Sequence, residues 1–306
     1  MPSSFTETLS SAGIECTDGT SWNREKILSH ISSYDGTVIR SRIFIDKEFL
    51  DRGIHLKFIA RAGAGMESID TAYALEKGIA CLSSPEGNRV AVAEHALGML
   101  LCLMNNLHKA DREIRAGRWL REENRGHELA GKTIGIIGYG NTGSAFAKRL
   151  EGFDVQVLAF DKYKKNFGTS FVKAALPGEI FSEADILSLH VPLTDETHYM
   201  VTDSYLSQFR KNIYLVNTSR GKVVNTGDLV RNLEKGKVKG ACLDVIEYED
   251  HSFESLSAEA TLPAPMRYLF TCPNVLLSPH IAGWTYESKE KIAEVLAEKI
   301  KKFLEL

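Results

Sequence analysis

Three nearly continuous apolar segments in the second half of the chain are each followed by side chains that can transfer a proton or bind a carboxylate. In chain order these side chains are Arg220, then Glu247 and Glu249, and finally His280. Histidine titrates near neutral pH, a neighbouring carboxylate can orient its imidazole, and an arginine fork can bind a carboxylate through two parallel hydrogen bonds. This set suits hydride transfer between a secondary alcohol and a ketone, where a hydroxyl proton must be removed or returned.

Each of these residues also has a structural alternative. Taken alone, Arg220 could be an exposed ion-pair residue, His280 in its Ser-Pro-His sequence could cap a turn, and the two glutamates could be solvated. Their joint placement at neighbouring strand ends favours a site.

A glycine-rich segment after another apolar strand predicts a bound dinucleotide. Gly138, Gly140 and Gly143 suit a sharp turn, a close approach of the backbone to a pyrophosphate, and tight packing of the next helix. The amides of Asn141 and Thr142 open that helix, whose positive end would face the phosphates. A tight turn that binds nothing is the alternative, but strand, glycines, helix and second strand follow in the expected order.

Asp161 stands 18 residues after Gly143, close to the spacing expected of the acid that binds the ribose. A carboxylate accepts hydrogen bonds from both ribose hydroxyls and repels a 2′-phosphate, so NAD is favoured over NADP. Lys162, Lys164 and Lys165 follow it and could partly offset this repulsion.

The elements that position these residues indicate two doubly wound α/β domains. We expect a Rossmann NAD-binding domain at 94–285 and a discontinuous, flavodoxin-like substrate-binding domain at 1–93 and 286–306. Buried strands are predicted at 38–39, 58–59, 79–82, 155–160, 184–191, 214–217, 240–246 and 275–278. Helices are predicted at 68–77, 90–107, 142–151, 203–209, 226–235 with Thr226 as its cap, and 286–306, and an irregular loop at 252–265.

Composition indicates an ordinary globular protein. The chain has 306 residues, 43% of them hydrophobic, and a net charge of −3, which gives no indication of nucleic-acid binding or of an acidic membrane surface. Five widely spaced cysteines without metal-ligand spacing suit reduced thiols and no metal site. Residues 1–13 lack the apolar core of a signal peptide, so we expect a cytoplasmic protein.

The motifs together resemble the D-isomer-specific 2-hydroxyacid dehydrogenases over nearly the whole chain, and most closely the phosphoglycerate dehydrogenase and hydroxypyruvate or glyoxylate reductase members. The matching segments are residues 61–70, 88–95, 138–143, 189–194, 217–221, 243–245 and 278–283.

The resemblance implies a role for each matching residue. His280 would be the acid/base, Glu249 rather than Glu247 its partner, and Arg220 the residue that binds the substrate carboxylate and polarises the reacting oxygen. Asp244 would contact the nicotinamide amide. The implied NAD-binding residues are Gly138, Gly140, Asn141, Thr142, Gly143, Asp161, His190, Val191, Pro192, Thr218, Ser219, Arg220, Asp244, His280 and Gly283, with 190–192 lining the adenosine side.

The substrate is expected to be a small 2-hydroxy or 2-oxo acid. By the same resemblance, the loop Gly63, Ala64 and Gly65 would offer amides to its carboxylate. Arg40 and Arg61 end two strands and could bind a phosphate, although solvated arginines are the alternative. The substrate-binding set is Arg40, Arg61, Ala62, Gly63, Ala64, Gly65 and Arg220.

These residues favour a 3-phosphoglycerate dehydrogenase of serine biosynthesis. The alternative is a glyoxylate or hydroxypyruvate reductase, and an NAD-sensing co-repressor-like protein is the alternative from another class. A co-repressor-like protein would show little turnover. This alternative is disfavoured by the intact set of Arg220, Glu249 and His280. The family usually closes a cleft between its domains and forms homodimers.

Three departures from the family pattern stand out. Asp250 replaces the usual proline, and the longer loop at 250–271 is expected to pack near the cleft or the other domain. The family's first domain usually begins with a central strand, whereas this chain begins with what resembles the helix that follows that strand. Either the small sheet lacks its central strand, or the start of the sequence has been assigned downstream of the true start. No regulatory domain follows Leu306, so serine feedback is not expected.

Overall fold

A computed structural model describes residues 1–249 and 262–306. The chain divides into two compact units, Met1–Arg89 with Trp284–Leu306, and Val90–Gly283. These limits lie close to the predicted domain limits. The assignment of substrate binding to the first unit and NAD binding to the second stays a prediction.

The first unit contains a small parallel sheet. Its elements are α1 (Ser3–Ser11), α2 (Arg24–His30), a 3-10 helix at Ile31–Ser33, β1 (Gly36–Ile39), α3 (Lys47–Arg52), β2 (Phe58–Arg61), α4 (Thr71–Glu76), β3 (Ala80–Ser83) and α12 (Tyr286–Phe303). β1 pairs directly with β2, and β2 with β3, so these three strands leave no gap for a further strand. Successive residues of β2 alternate between two cores: Ile59 faces one, while Phe58 and Ala60 face the other together with Leu9 of α1 and Leu296 of α12.

The second unit contains a larger parallel sheet. Its elements are α5 (Pro85–Met104), which begins in the first unit, α6 (Leu107–Arg115), β4 (Thr133–Ile137), α7 (Asn141–Arg149), β5 (Gln156–Phe160), β6 (Val172–Ala174), α8 (Pro177–Glu183), β7 (Ile186–Leu189), α9 (Asp203–Ser207), β8 (Ile213–Asn217), a 3-10 helix at Gly221–Val223, α10 (Thr226–Glu234), β9 (Val238–Leu243), α11 (Ala264–Thr271) and β10 (Val275–Leu277). The strand order is β10-β9-β8-β7-β4-β5-β6. The chain winds outward from β4 through β6 and then returns to the other side of β4, which confirms the doubly wound sheet and puts its topological switch between β4 and β7.

Several helices differ from the prediction. α10 is capped by Asn225, whose side chain accepts from Asp228 N, so Thr226 as the cap was wrong. α11 occupies part of the segment predicted as a loop, and residues 250–261 of that segment lie outside the described residues. α5 begins five residues earlier than predicted because proline suits the first turn of a helix.

α6 was not predicted. Asn106, with a φ of +53°, separates it from α5. No single helix in residues 1–249 and 262–306 is long and apolar enough to cross a membrane, whereas α5 and α6, bent by 60°, reach that length and composition together.

Candidate active site

The glycine loop follows β4 at the topological switch. Gly138 has a φ of +92°, and a Cβ there would lie 2.3 Å from the His190 carbonyl oxygen. A Cβ on Gly143 would lie 2.0 Å from the Gly138 carbonyl oxygen, so α7 packs directly on the loop. A Cβ on Gly140 would meet no atom within 4 Å in the described part of the chain apart from its own chain neighbours. The fold therefore requires glycine at 138 and 143, while the open space at 140 fits a pyrophosphate that approaches the backbone.

Asp161 follows β5, and three backbone amides hold its carboxylate. Oδ2 accepts from Tyr139 N at 2.8 Å, and Oδ1 accepts from Tyr163 N at 3.0 Å and Lys164 N at 2.9 Å. Partial burial alone would raise the pKa of Asp161, but these three donors outweigh it and lower the pKa below the usual value. The carboxylate is therefore ionised and fixed in orientation, as the binding of two ribose hydroxyls requires.

Two of the lysines near Asp161 have partners of their own. Lys162 Nζ lies 2.5 Å from both carboxylate oxygens of Glu196. Lys164 Nζ donates to the Tyr139 carbonyl at 3.0 Å. The ion pair with Glu196 limits how far Lys162 can offset the charge of Asp161. Lys164 keeps its charge, which also helps to lower the pKa of Asp161.

The His190 ring is turned into the protein. Its Nε2 lies 2.8 Å from Ser188 Oγ, and its centroid lies 5.3 Å from that of Phe146. Burial lowers the pKa of His190 to about 3. The ring is therefore neutral and packs against Phe146 of α7. The lining of the adenosine side by His190, Val191 and Pro192 stays a prediction.

β8, β9 and β10 bring the three predicted catalytic residues to one edge of the sheet. These strands are adjacent and parallel, and their last residues pair with one another in register. The segments that carry Arg220, Glu249 and His280 therefore leave the sheet side by side.

Asn217, the last residue of β8, shapes the turn that carries Arg220. Its Oδ1 accepts from Ser219 N at 3.0 Å and from Ser219 Oγ at 2.7 Å, and its Nδ2 donates to the Arg220 carbonyl at 3.0 Å. Thr218 Oγ1 is buried with no hydrogen-bond partner among the described residues, as suits a hydroxyl that contacts a ligand. Sequence reasoning missed the role of Asn217, although asparagine followed two residues later by serine is a turn signal.

His280 and Glu249 form the predicted pair. His280 Nδ1 lies 3.0 Å from Glu249 Oε2, and the two side chains are only 22% and 13% exposed. The carboxylate accepts, so we assign the hydrogen to Nδ1, which leaves Nε2 as the atom that exchanges a proton.

Glu247, the other candidate acid, has a different task. Its Oε1 accepts from Tyr199 Oη at 2.5 Å, and its Oε2 accepts from Thr226 N at 3.0 Å at the start of α10. The hydrogen bond to Glu247 raises the pKa of Tyr199 to about 12. These contacts support Glu249 as the partner of His280.

Asp244 is almost fully buried after β9. Its carboxylate accepts from Ser278 Oγ, Ile281 N and Ala282 N. Its predicted contact with the nicotinamide amide stays a prediction. Sequence reasoning missed its link to the loop that carries His280, and missed Ser278 as its partner.

The predicted substrate-binding arginines belong to the first unit. The Arg40 guanidinium stacks 4.2 Å from the centre of the Trp284 ring. Arg61 Nη1 donates to the Ala62 carbonyl at 2.6 Å and would lie 2.0 Å from a Cβ on Gly63. Arg61 thus stabilises the loop that follows it. The N–H donors of Arg40 have no hydrogen-bond partner within residues 1–249 and 262–306.

The loop after β2 differs in part from the prediction. The Gly63 amide donates to Arg61 O at 2.9 Å and to Ser84 Oγ at 3.2 Å, so it is used inside the unit. The amides of Ala64 and Gly65 have no such partner in the described ranges. They remain the candidates for binding a carboxylate.

The chain is similar to known proteins in sequence and in structure. Residues 97–282 match the family model described as D-isomer specific 2-hydroxyacid dehydrogenase, NAD binding domain. The chain is 34% identical over 281 residues to a hydroxypyruvate reductase of Thermotoga maritima, with 92% of this chain and 88% of that protein covered. It is 32% identical over 290 residues to a D-3-phosphoglycerate dehydrogenase of Archaeoglobus fulgidus, covering 94% of this chain but only 53% of that protein. A D-lactate dehydrogenase of Aquifex aeolicus, solved with NAD and lactic acid, matches with a TM-score of 0.80 and 28% identity over 100% of this chain and 94% of that one.

Proposed function

We propose, because the chain belongs to the D-isomer-specific 2-hydroxyacid dehydrogenase family, that it interconverts a D-2-hydroxy acid and a 2-oxo acid and that its substrate is 3-phosphoglycerate. It is an NAD-dependent oxidoreductase with a Rossmann NAD-binding domain. Three features would hold NAD: the glycine loop with its open space at Gly140, the ionised Asp161 carboxylate and the buried Thr218 hydroxyl.

Each of the predicted catalytic side chains has a separate role in the reaction. When bound, NAD would supply the hydride acceptor for oxidation of the alcohol and, in its reduced form, the hydride donor for reduction of the ketone. Glu249 holds His280 Nδ1–H, so His280 Nε2 takes the hydroxyl proton during oxidation and returns it during reduction. The Arg220 guanidinium binds the substrate carboxylate and stabilises charge on the reacting oxygen.

The observation that carries the proposal is the His280–Glu249 pair on strand ends adjacent to the Arg220 turn. Purified protein mixed with NADH and a panel of 2-oxo acids should lose NADH absorbance. If no 2-oxo acid oxidises NADH, the proposed activity is wrong.

Arg40 supports a phosphorylated substrate, and Arg42 provides a matched control. Arg40 has its hydrogen-bond donors available, whereas Arg42 Nη2 donates to the Trp22 carbonyl at 3.2 Å. Arg40→Gln should raise the KM for phosphohydroxypyruvate about tenfold, since a phosphate would lose a charged partner. The KM for hydroxypyruvate should change less than about twofold, and Arg42→Gln should change neither. Equal effects of Arg40→Gln on both substrates would exclude Arg40 as the phosphate ligand.

A hydroxypyruvate or glyoxylate reductase is the second candidate. The nearly full-length similarity to a hydroxypyruvate reductase favours it, as does the contact of Arg61 with the Ala62 carbonyl. The ratio of kcat/KM for phosphohydroxypyruvate to that for hydroxypyruvate distinguishes the two. A ratio well above one supports the phosphoglycerate reaction, and a ratio below one supports the reductase.

We also propose a homodimer formed through the second unit. α6 has its apolar residues outward: Leu107 is 57% and Ile114 50% exposed, and Trp119 beyond the helix is 77% exposed. In the same helix Glu113 is buried. A second copy of the chain is the proposed occupant of this surface, which consists of Leu107, Ile114 and Trp119.

A further inference from the structure

Asp244 holds the loop that carries His280 through three successive amides. Its Oδ1 accepts from Ile281 N at 2.9 Å, and its Oδ2 accepts from Ala282 N at 2.8 Å. Its backbone carbonyl accepts from His280 N at 2.8 Å. His280 itself has a φ of +55°, a left-handed conformation that persists only when its surroundings fix it. One buried residue thus fixes the backbone at the acid/base and at the two residues that follow it.

A second set of contacts fixes Asp244. Ser278 Oγ donates to Asp244 Oδ1 at 2.6 Å. Because the single hydroxyl hydrogen of Ser278 is used there, its oxygen must accept the hydrogen bond from His95 Nε2, which lies 3.0 Å away. His95 Nε2 also lies 3.5 Å from Asp244 Oδ1. The result is a directed chain of hydrogen bonds from His95 through Ser278 to Asp244.

The environment of Asp244 makes these donors important. The side chain is only 1% exposed. Burial alone would raise the pKa of Asp244, but the hydrogen bonds from His95, Ser278, Ala282 and Ile281 outweigh it and lower the pKa. A buried carboxylate that lost part of this set would be poorly solvated and would have to reorient.

We propose that His95 and Ser278 are positioning residues for the dehydrogenase reaction, and that the hydrogen bonds that link His95 through Ser278 to Asp244 set the location of the His280 imidazole. The proposal rests on the proposed function, because it takes His280 as the group that transfers the proton. His95 lies on α5 and Ser278 directly after β10, 183 residues apart, so the chain of bonds fixes the catalytic loop to a helix of the same unit. A misplacement of about 1 Å can reduce a rate about 100-fold, so loss of this link should act on kcat.

Three single variants, one double variant and one matched control test this link in the protein. His95→Leu removes the donor, His95→Gln keeps an amide donor at a similar reach, and Ser278→Ala removes the relay. His108→Leu is the control, because His108 Nε2 contacts the Pro273 carbonyl at 3.0 Å, before β10 rather than after it. The measurements are kcat, KM, NADH affinity by fluorescence, and amide hydrogen exchange of the peptide spanning 278–283.

His95→Leu should lower kcat about tenfold or more, with KM and NADH affinity within about twofold of the parent protein. His95→Gln should recover most of the rate, and the His95→Leu/Ser278→Ala double variant should be no slower than Ser278→Ala alone. Loop amides should exchange faster in His95→Leu but not in His95→Gln or His108→Leu.

A parent-like kcat in His95→Leu would overturn the proposal. So would a His95→Gln variant as slow as His95→Leu, or an equal loss in His108→Leu. If the parent protein reduces no 2-oxo acid, the proposed function fails. Hydrogen exchange then still tests whether His95 holds the loop, and unchanged exchange in His95→Leu would overturn that role.

Discussion

His280 combines a chemical task with an unusual backbone conformation. Its imidazole faces Glu249 at 3.0 Å, while its φ of +55° places it in a region that non-glycine residues rarely adopt. The type and spacing of both residues could be read from the sequence. The left-handed conformation and its support by Asp244 could not, since they depend on contacts between segments more than thirty residues apart.

Replacement of His280 by Ala should lower kcat by about 10² to 10⁴, because general acid–base catalysis contributes that much. NADH affinity should stay close to that of the parent protein, since the glycine loop and Asp161 are unchanged. Steady-state rates and fluorescence titration measure the two effects. His127→Ala, at an exposed histidine of the same unit, is the control and should leave both unchanged.

Coenzyme choice should depend on Asp161 and, to a smaller degree, on Glu196. Asp161→Ala removes the carboxylate and leaves three amide donors that a 2′-phosphate can use, so the ratio of kcat/KM for NADPH to that for NADH should rise at least about tenfold. Glu196→Gln releases Lys162 from an exposed ion pair, so its effect alone should stay below about threefold. An unchanged ratio in Asp161→Ala would show that another residue selects the coenzyme.

His190 should make the protein less stable in mild acid. Its folded-state pKa is about 3 against an ordinary value of 6.5, so between these pH values the unfolded chain binds a proton that the folded chain does not. The free energy of unfolding should therefore fall by about 2 kcal/mol from this group between pH 7 and pH 5. His190→Gln, which cannot titrate, should show a smaller fall in urea unfolding at the two pH values. An equal fall would contradict a neutral, buried His190.

At the scale of elements, the sequence patterns predict the sheet better than the helices. Strands covered on both faces are continuous apolar runs, so all seven large-sheet strands except the short β6 were located. α6 escaped prediction because its apolar residues face outward and its buried residue is Glu113. The cap of α10 was misplaced by one residue because asparagine and threonine are both good caps and only the fold selects between them.

The same limit applies to the candidate site. Residues at strand ends follow from the parallel sheet, and Arg220, Asp244, Glu249 and His280 were all predicted. The residues that hold them, Asn217, Ser278 and His95, were not assigned that task, because hydrogen bonds between distant segments leave no periodic pattern in the sequence.

Substitutions in the glycine loop should separate an effect on thermal stability from an effect on NADH affinity. Gly143→Ala should lower Tm, because its Cβ would lie 2.0 Å from a backbone oxygen. Gly140→Ala should lower Tm less than Gly143→Ala, since its Cβ would enter open space. NADH affinity should nevertheless fall in Gly140→Ala. Normal NADH binding by that variant would mean that the pyrophosphate does not approach Gly140.

At the scale of the molecule, the surface of Leu107, Ile114 and Trp119 should control assembly. The protein should show twice its chain mass of 34.0 kDa by light scattering after size-exclusion chromatography. Ile114→Glu with Trp119→Glu should shift it to the single-chain mass, because charges would be buried in an apolar contact. Leu75→Glu on α4, at a residue 78% exposed, is the control and should keep the larger mass. A parent protein of single-chain mass would contradict the proposed dimer.

The packing of α12 against α1 and β2 affects how the protein is made on the ribosome. The first unit needs residues from both ends of the chain, so its sheet stays without part of its core until the whole second unit has been synthesised. At typical translation speeds, that interval lasts about ten to forty seconds. During it Phe58 and Ala60 lack the cover of Leu296 and Ile300, and a nascent chain stalled before residue 286 should be a preferred target for chaperones.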